Sequence, residues 1–127
     1  MADFSYRLNR RLMVIPVVLY GRRGYLESEF ILDTGSSLTI VDHSLAVALG
    51  YSARDGIGLS KVSSVVGKER GYRLILEGLE TLGKKMDHFE VACHDLLDQG
   101  VEGLVGMSFL EQFDWCVHPG KRMITVG

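Results

Sequence analysis

Phe30-Ile31-Leu32-Asp33-Thr34-Gly35-Ser36-Ser37 sets a carboxylate and a glycine turn at the end of an apolar run. Three apolar residues lead into Asp33, so the acid emerges from the interior at the tip of a strand, where water is scarce and an ordinary surface aspartate is not put. Upstream, Leu12 to Tyr20 is rich in Val, Ile and Leu, Gly21-Arg22-Arg23-Gly24 is a turn signal, and Tyr25 to Leu32 alternates apolar with polar residues. The two runs predict a β-hairpin that delivers Asp33. Pro16 has no amide to give to a sheet ladder, so the first strand should be an edge there or carry a bulge.

Downstream, Leu38-Thr39-Ile40-Val41 reads as a short strand. Asp42 is placed to cap a short helix through Leu49, which Gly50 ends as a left-handed residue. Val62 to Val66 and Tyr72 to Leu79 flank Gly67-Lys68-Glu69-Arg70-Gly71, which predicts a second hairpin with an exposed tip. Leu82-Gly83-Lys84-Lys85 turns the chain into a strand near His88 to His94, with Phe89, Val91 and Cys93 on one face. Gly103-Leu104-Val105-Gly106-Met107-Ser108-Phe109-Leu110 is a second glycine-flanked apolar element, and Ser108 to Phe113 suits a short helix. Asp114 to Val117 and Arg122 to Val126 pair across His118-Pro119-Gly120-Lys121. The pattern is all-β with one or two short helices, a single domain over 12–127 behind an N-terminal extension, 1–11. It holds no repeat, low-complexity tract or linker.

The 127 residues fit one domain, and 46% hydrophobic with 24% charged residues is ordinary globular composition. A formal net charge of -2 gives no electrostatic case for nucleic acid, whose phosphates call for a basic excess. Arg7, Arg10 and Arg11 read as a solvated terminus. No apolar run approaches the roughly 18 residues of a membrane helix, and Met1-Ala2-Asp3-Phe4 lacks the features of a signal peptide, so a soluble, cytoplasmic protein is expected. Cys93 and Cys116 have no zinc or redox spacing and are expected as buried, reduced thiols, a disulfide being the alternative.

Asp33 can do hydrolytic chemistry only in company. Activating water takes one ionised carboxyl, and polarising a carbonyl takes one protonated carboxyl. Two such groups a few Å apart cannot both ionise cheaply, so they share a proton and titrate in two steps. The chain holds one Asp-Thr-Gly and no second copy to supply the partner acid. Asp33 must therefore meet its own copy across the axis of a two-fold dimer. Thr34 offers a hydroxyl and Gly35 a close-packing backbone at such an axis, and the Ser36 hydroxyl is expected to bond the outer oxygen of Asp33 and favour its ionised form.

From Leu12 to Val126 the chain resembles the retropepsin-like aspartic peptidases, which include retroviral proteases and bacterial and cellular relatives. Phe30 to Ser37 looks like the family's catalytic loop, Val62 to Leu79 like its flap hairpin, and Leu104-Val105-Gly106 like the motif that closes its catalytic strand crossing. The resemblance implies a closed acid-protease barrel and a homodimeric endopeptidase that needs no metal or cofactor. It implies Asp33 as catalytic acid and base with its twin, Thr34 as an inter-subunit hydrogen-bonding residue, Gly35 as a substrate backbone contact, and Val66, Gly67 and Lys68 near the flap tip. By the same analogy Met123-Ile124-Thr125-Val126 joins the dimer sheet. The flap segment departs from pepsin-like enzymes in lacking their aromatic residue, although Tyr72 lies a few positions beyond the turn. A catalytically idle member of this fold, binding peptides or mediating assembly, is the rival reading.

Other motifs fall short. Cys93-His94-Asp95 lacks metal-site spacing. Gly106-Met107-Ser108-Phe109-Leu110 has Leu where a nucleophile elbow needs glycine. Gly56-Ile57-Gly58 does not continue into a phosphate loop.

Overall fold

The computed structural model describes residues 1–64, 67–97 and 100–127, with side chains described outside 62–70. Its elements in chain order are β1 (Ala2–Ser5), β2 (Arg7–Asn9), β3 (Leu12–Gly21), β4 (Gly24–Leu32), β5 (Ile40–Asp42), α1 (His43–Ala48), a 3-10 turn (Ala53–Asp55), β6 (Gly58–Ser64), β7 (Gly67–Thr81), β8 (Lys84–His94), β9 (Gly103–Val105), α2 (Met107–Leu110), β10 (Trp115–His118) and β11 (Met123–Val126). Among the described residues the chain is all-β with two short helices, as its patterning predicts.

The larger sheet runs β2-β3-β4-β9-β5-β8-β7-β6. A further pairing of β3 with β7, through Val18↔Glu80, Leu19↔Leu79 and Tyr20↔Gly78, joins its two sides and closes the barrel. The period-two residues Ile15, Val17 and Leu19 of β3 and Phe30 and Leu32 of β4 point inward. They meet Leu74, Leu76 and Leu79 of β7 and Phe89 and Val91 of β8 in one core. Each fully buried side chain of this size contributes roughly 1.5–3 kcal/mol over its exposed state. Phe109 of α2 plugs one end, edge-on to Phe89 at 5.8 Å and to Phe113 at 5.4 Å.

Pro16 sits in the middle of β3, and its position explains how the strand tolerates it. A strand residue's amide and carbonyl point to the same side, and the Pro16 carbonyl accepts the Thr81 hydroxyl at 2.8 Å. On that side β2 pairs only with residues 12–14 and β7 only with 18–20. The missing amide therefore falls in a gap between two partners, where no ladder bond is lost.

β4 pairs with β3 through Ile15↔Phe30 and Val14↔Ile31. The capping expectation holds: Asp42 accepts the Ser44 amide at the start of α1, and Gly50 follows its end at φ +96. The second hairpin differs from its expected form. Ser64 pairs with Gly67 and Ser63 with Lys68, so 67–71 is strand, and residues 65–66 lie outside the described residues. Gly71 is glycine for another reason: a Cβ there would collide with the Cys93 carbonyl oxygen.

A second sheet, β1-β11-β10, has β11 paired on both sides. Ile124 and Val126 of its central strand are buried against the barrel. No helix among the described residues is long and apolar enough to cross a membrane.

Candidate active site

β9 lies between β4 and β5, parallel to the first through Ile31↔Leu104 and Leu32↔Val105 and antiparallel to the second through Ile40↔Leu104. The chain leaves β4, loops through 33–39 and returns as β5 on the far side of β9. The Asp33 amide extends the parallel ladder by donating to the Val105 carbonyl at 2.9 Å. With Leu32 facing the core, Asp33 projects to the other face, half-buried, while Thr34 and Gly35 are exposed. The Gly35 amide donates to Asp33 Oδ1 at 2.9 Å, and the Ser36 amide closes the turn on the Asp33 carbonyl at 3.2 Å. Among the described residues the Gly35 amide is the carboxylate's sole hydrogen-bond donor, so its other lone pairs are open to what approaches from outside.

The loop is held from beneath by the glycine-flanked element. The Met107 amide donates to the Ser36 carbonyl at 2.8 Å and the Ser108 amide to the Ser37 carbonyl at 2.9 Å. Gly106 is pressed so closely on this loop that a Cβ would strike the Leu38 and Ser36 carbonyl oxygens. Two hydroxyls lock the crossing. Thr39, fully buried, accepts the Gly106 amide on Oγ1 at 3.2 Å and the Ser108 hydroxyl at 3.2 Å, while its own amide donates to Ser108 Oγ at 3.1 Å. Sequence reading missed the Thr39–Ser108 pair, since nothing local links hydroxyls 69 residues apart.

Asp33, Thr34, Gly35 and Ser36 are thus brought together with Leu104, Val105 and Gly106. The Ser36 hydroxyl is placed differently from its expectation: it donates to the Leu38 carbonyl at 2.6 Å rather than to Asp33. Val66 lies outside the described residues, and Gly67 and Lys68 open β7, which β8 separates in sheet order from β5 at the end of the loop. Tyr72 does not face Asp33: its hydroxyl lies 2.7 Å from His43 Nδ1, with the rings edge to face.

A second aspartate has opposite surroundings. Asp42, 2% exposed, receives the Leu96 amide at 2.7 Å, the Leu97 amide at 3.0 Å, the Ser44 amide at 2.9 Å and the Ser44 hydroxyl. Burial works against its charge, but the bonds from Ser44, Leu96 and Leu97 outweigh it and hold the carboxyl below the usual aspartate range. Nearby, burial pushes the Cys93 thiol up to about 12, against the Tyr72 hydroxyl bond and with help from the Asp42 charge, and burial likewise raises Tyr72. A thiol so protonated is no nucleophile at neutral pH. Both cysteines are free, Cys93 buried and Cys116, against expectation, exposed.

Comparison with curated proteins gives no match. Solved structures share the fold. A retropepsin-like aspartic protease from Rickettsia conorii superposes at TM-score 0.73 with 19% identity, over 98% of each chain. EIAV protease in complex with an inhibitor gives 0.61 and 17%, covering 85% of this chain and 92% of its own. The retroviral protease-like domain of Ddi1 from Leishmania major gives 0.61 and 15%, covering 91% and 87%. The barrel, strand crossing and glycine-braced loop are thus a retropepsin-like fold. The family model for aspartyl proteases matches residues 15–109, from β3 to the helix after the crossing, and the chain belongs to that family.

Proposed function

We propose that the chain is an aspartic endopeptidase acting as a homodimer, with Asp33 of each subunit forming a shared pair at the two-fold axis. The observation that carries this reading is the single acid at the strand crossing, clamped through its backbone and with carboxylate lone pairs left open. In the dimer one ionised Asp33 takes a proton from water as the water oxygen bonds to the scissile carbonyl carbon. The protonated twin gives its proton to the carbonyl oxygen, forming a tetrahedral intermediate with no covalent enzyme adduct. Proton return to the amide nitrogen then lets the C–N bond break.

Thr34 and Gly35 serve the inter-subunit contact and the substrate backbone, Ser36 braces the loop, and Leu104, Val105 and Gly106 hold it from beneath. The hairpin of β6 and β7, with Val66, Gly67 and Lys68 toward its tip, covers an extended peptide by strand-like pairing. The domain spans 12–127, with the extension before it joined to the two sheets through β1 and β2. Free thiols suit a reducing, cytoplasmic setting.

The test is cleavage of a peptide library from acid to neutral pH by wild type and Asp33→Asn, repeated on dilution. Cleavage that vanishes in the variant, and whose specific activity falls as the dimer dissociates, is expected. Cleavage surviving the substitution rejects the pair, and no cleavage by wild type favours a peptide-binding role.

A further inference from the structure

We infer that His94 is a positioning residue: by clasping Ser60 across Gly71 it fixes the direction in which the β6–β7 hairpin leaves the barrel, and with it how tightly the hairpin holds an extended peptide. The inference deepens the peptidase reading and rests on it for the peptide, while the clasp stands on the fold alone.

The register sets the clasp in one row. Asp42 pairs with His94, Ser60 pairs with Gly71, and the β7–β8 register carried one place beyond Tyr72↔Cys93 brings Gly71 opposite His94. The row therefore crosses four neighbouring strands as Asp42, His94, Gly71 and Ser60, all on one face of the sheet. Ser60 and His94 stand two strands apart, roughly 10 Å between Cα atoms at sheet spacing. Yet His94 Nε2 lies 3.0 Å from Ser60 Oγ, and both residues are buried. The reach is possible because the imidazole lies over Gly71, where a Cβ would come 2.8 Å from its Cε1 and Nδ1.

At this row the hairpin also loses its support. β8 ends at His94, so β7 is flanked by β8 over 72–81, while 67–71 pairs with β6 alone among the described residues. A two-stranded ribbon is marginal by itself in water, so its course is set at its root. The clasp ties β6, the outermost strand of the sheet, past β7 to β8. One residue further along β7, on the opposite face, the Tyr72 hydroxyl meets His43 Nδ1, so the root is held on both faces. At the other end of the row Asp42 is fastened to α1 and to residues 96–97, which gives the clasp a fixed base. A neutral hydrogen bond adds little net stability, but it is directional where apolar contact is not.

The experiment has two arms on the full chain. In the first, hydrogen exchange of the free protein is followed by mass spectrometry for wild type, Ser60→Ala, His94→Gln, His94→Ala and the double Ala variant. Ser60→Ala should speed exchange of the amides that pair β6 with 67–71 about fivefold, the value of one buried neutral hydrogen bond, and leave 72–81 and the β3–β4 pair at the wild-type rate. His94→Gln keeps an amide nitrogen near the place of Nε2 and should stay close to wild type. His94→Ala should match or exceed Ser60→Ala, and the double variant should go no further than His94→Ala. Equal acceleration throughout the barrel, or a Ser60→Ala effect undiminished in the His94→Ala background, overturns the clasp.

In the second arm, KM and kcat are measured on a cleaved peptide. Ser60→Ala should raise KM about threefold to fivefold with kcat within about twofold of wild type, and His94→Gln should leave both near wild type. An unchanged KM in Ser60→Ala overturns the positioning role. If wild type does not cleave, the peptidase reading fails, and the exchange arm alone decides whether the clasp stands.

Discussion

Asp33 and Asp42 are near neighbours in sequence, flank the same strand crossing and carry the same functional group, yet the fold treats them oppositely. Asp42 is saturated: four donors from α1 and the 96–97 segment surround it at 2% exposure. Asp33 is half-buried, with its backbone fixed by Val105 and its side chain by one amide. A carboxylate whose lone pairs are all taken can fasten three segments but cannot exchange a proton with anything new. One left open costs the fold little support and keeps its capacity for chemistry.

The sharpest way to break this contrast is to neutralise each acid in turn. Asp33→Asn preserves shape and the Gly35 bond but removes the proton acceptor, so kcat/KM should fall on the order of 10⁴-fold while urea stability stays within about 0.5 kcal/mol. Asp42→Ala strands the amides of Ser44, Leu96 and Leu97 in the interior. It should cost about 2–4 kcal/mol, read as a lower urea midpoint with an unchanged m-value. Loss of stability from the first substitution, or of activity alone from the second, would collapse the distinction.

Acid titration sharpens the same comparison. The carboxyl of Asp42 is lowered from 3.8, so the unfolded chain takes up its proton first. Its stabilisation is therefore complete above that value and is lost as pH falls through the lower native one. The stability gap between wild type and Asp42→Asn should be constant at neutral pH and narrow on acidification below 3.8. A gap that widens there would reverse the assigned sign.

The hydroxyl lock supplies a smaller effect. Thr39→Val leaves the Gly106 amide and the Ser108 hydroxyl without their acceptor and should cost about 1–3 kcal/mol. Adding Ser108→Ala should cost less than the sum of the two single changes, because part of the lock is already gone. Additive values would show that the two hydroxyls act apart.

Local chemistry made much of this site legible. The apolar run into Asp33, the turn at 21–24 and the Asp42 cap are each written in adjacent residues, and each stands where its pattern puts it. What stayed hidden is long-range. Asp42 reads as a helix cap because Ser44 is near in sequence, while its bonds to Leu96 and Leu97 span 54 and 55 residues. The turn expected over 67–71 is strand for a related reason. Gly67 and Gly71 look like turn residues, but Gly71 is small because β8 passes too close for a side chain, a constraint its own neighbours in sequence do not announce. The pairing of β1 with β11, at the opposite end of the chain, has no local signature either.

Ser36 brings the smallest effect and bears most directly on how isolated the Asp33 carboxylate is. Proximity suggests that its hydroxyl serves the acid, and in that case Ser36→Ala would weaken the ionised form and move the acid limb of the kcat/KM profile to higher pH. The hydroxyl instead donates to the Leu38 carbonyl at 2.6 Å, while the backbone of Ser36 separately ties the Asp33 carbonyl and the Met107 amide. Removing the hydroxyl therefore takes one bond from the loop and none from the carboxylate. The expected result is a loss of about 0.5–1.5 kcal/mol in urea stability with the acid limb unmoved. An upward shift of that limb would mean that the hydroxyl turns to Asp33 when the second subunit arrives. The acid would then be braced by its own loop as well as by its partner, narrowing the difference from Asp42.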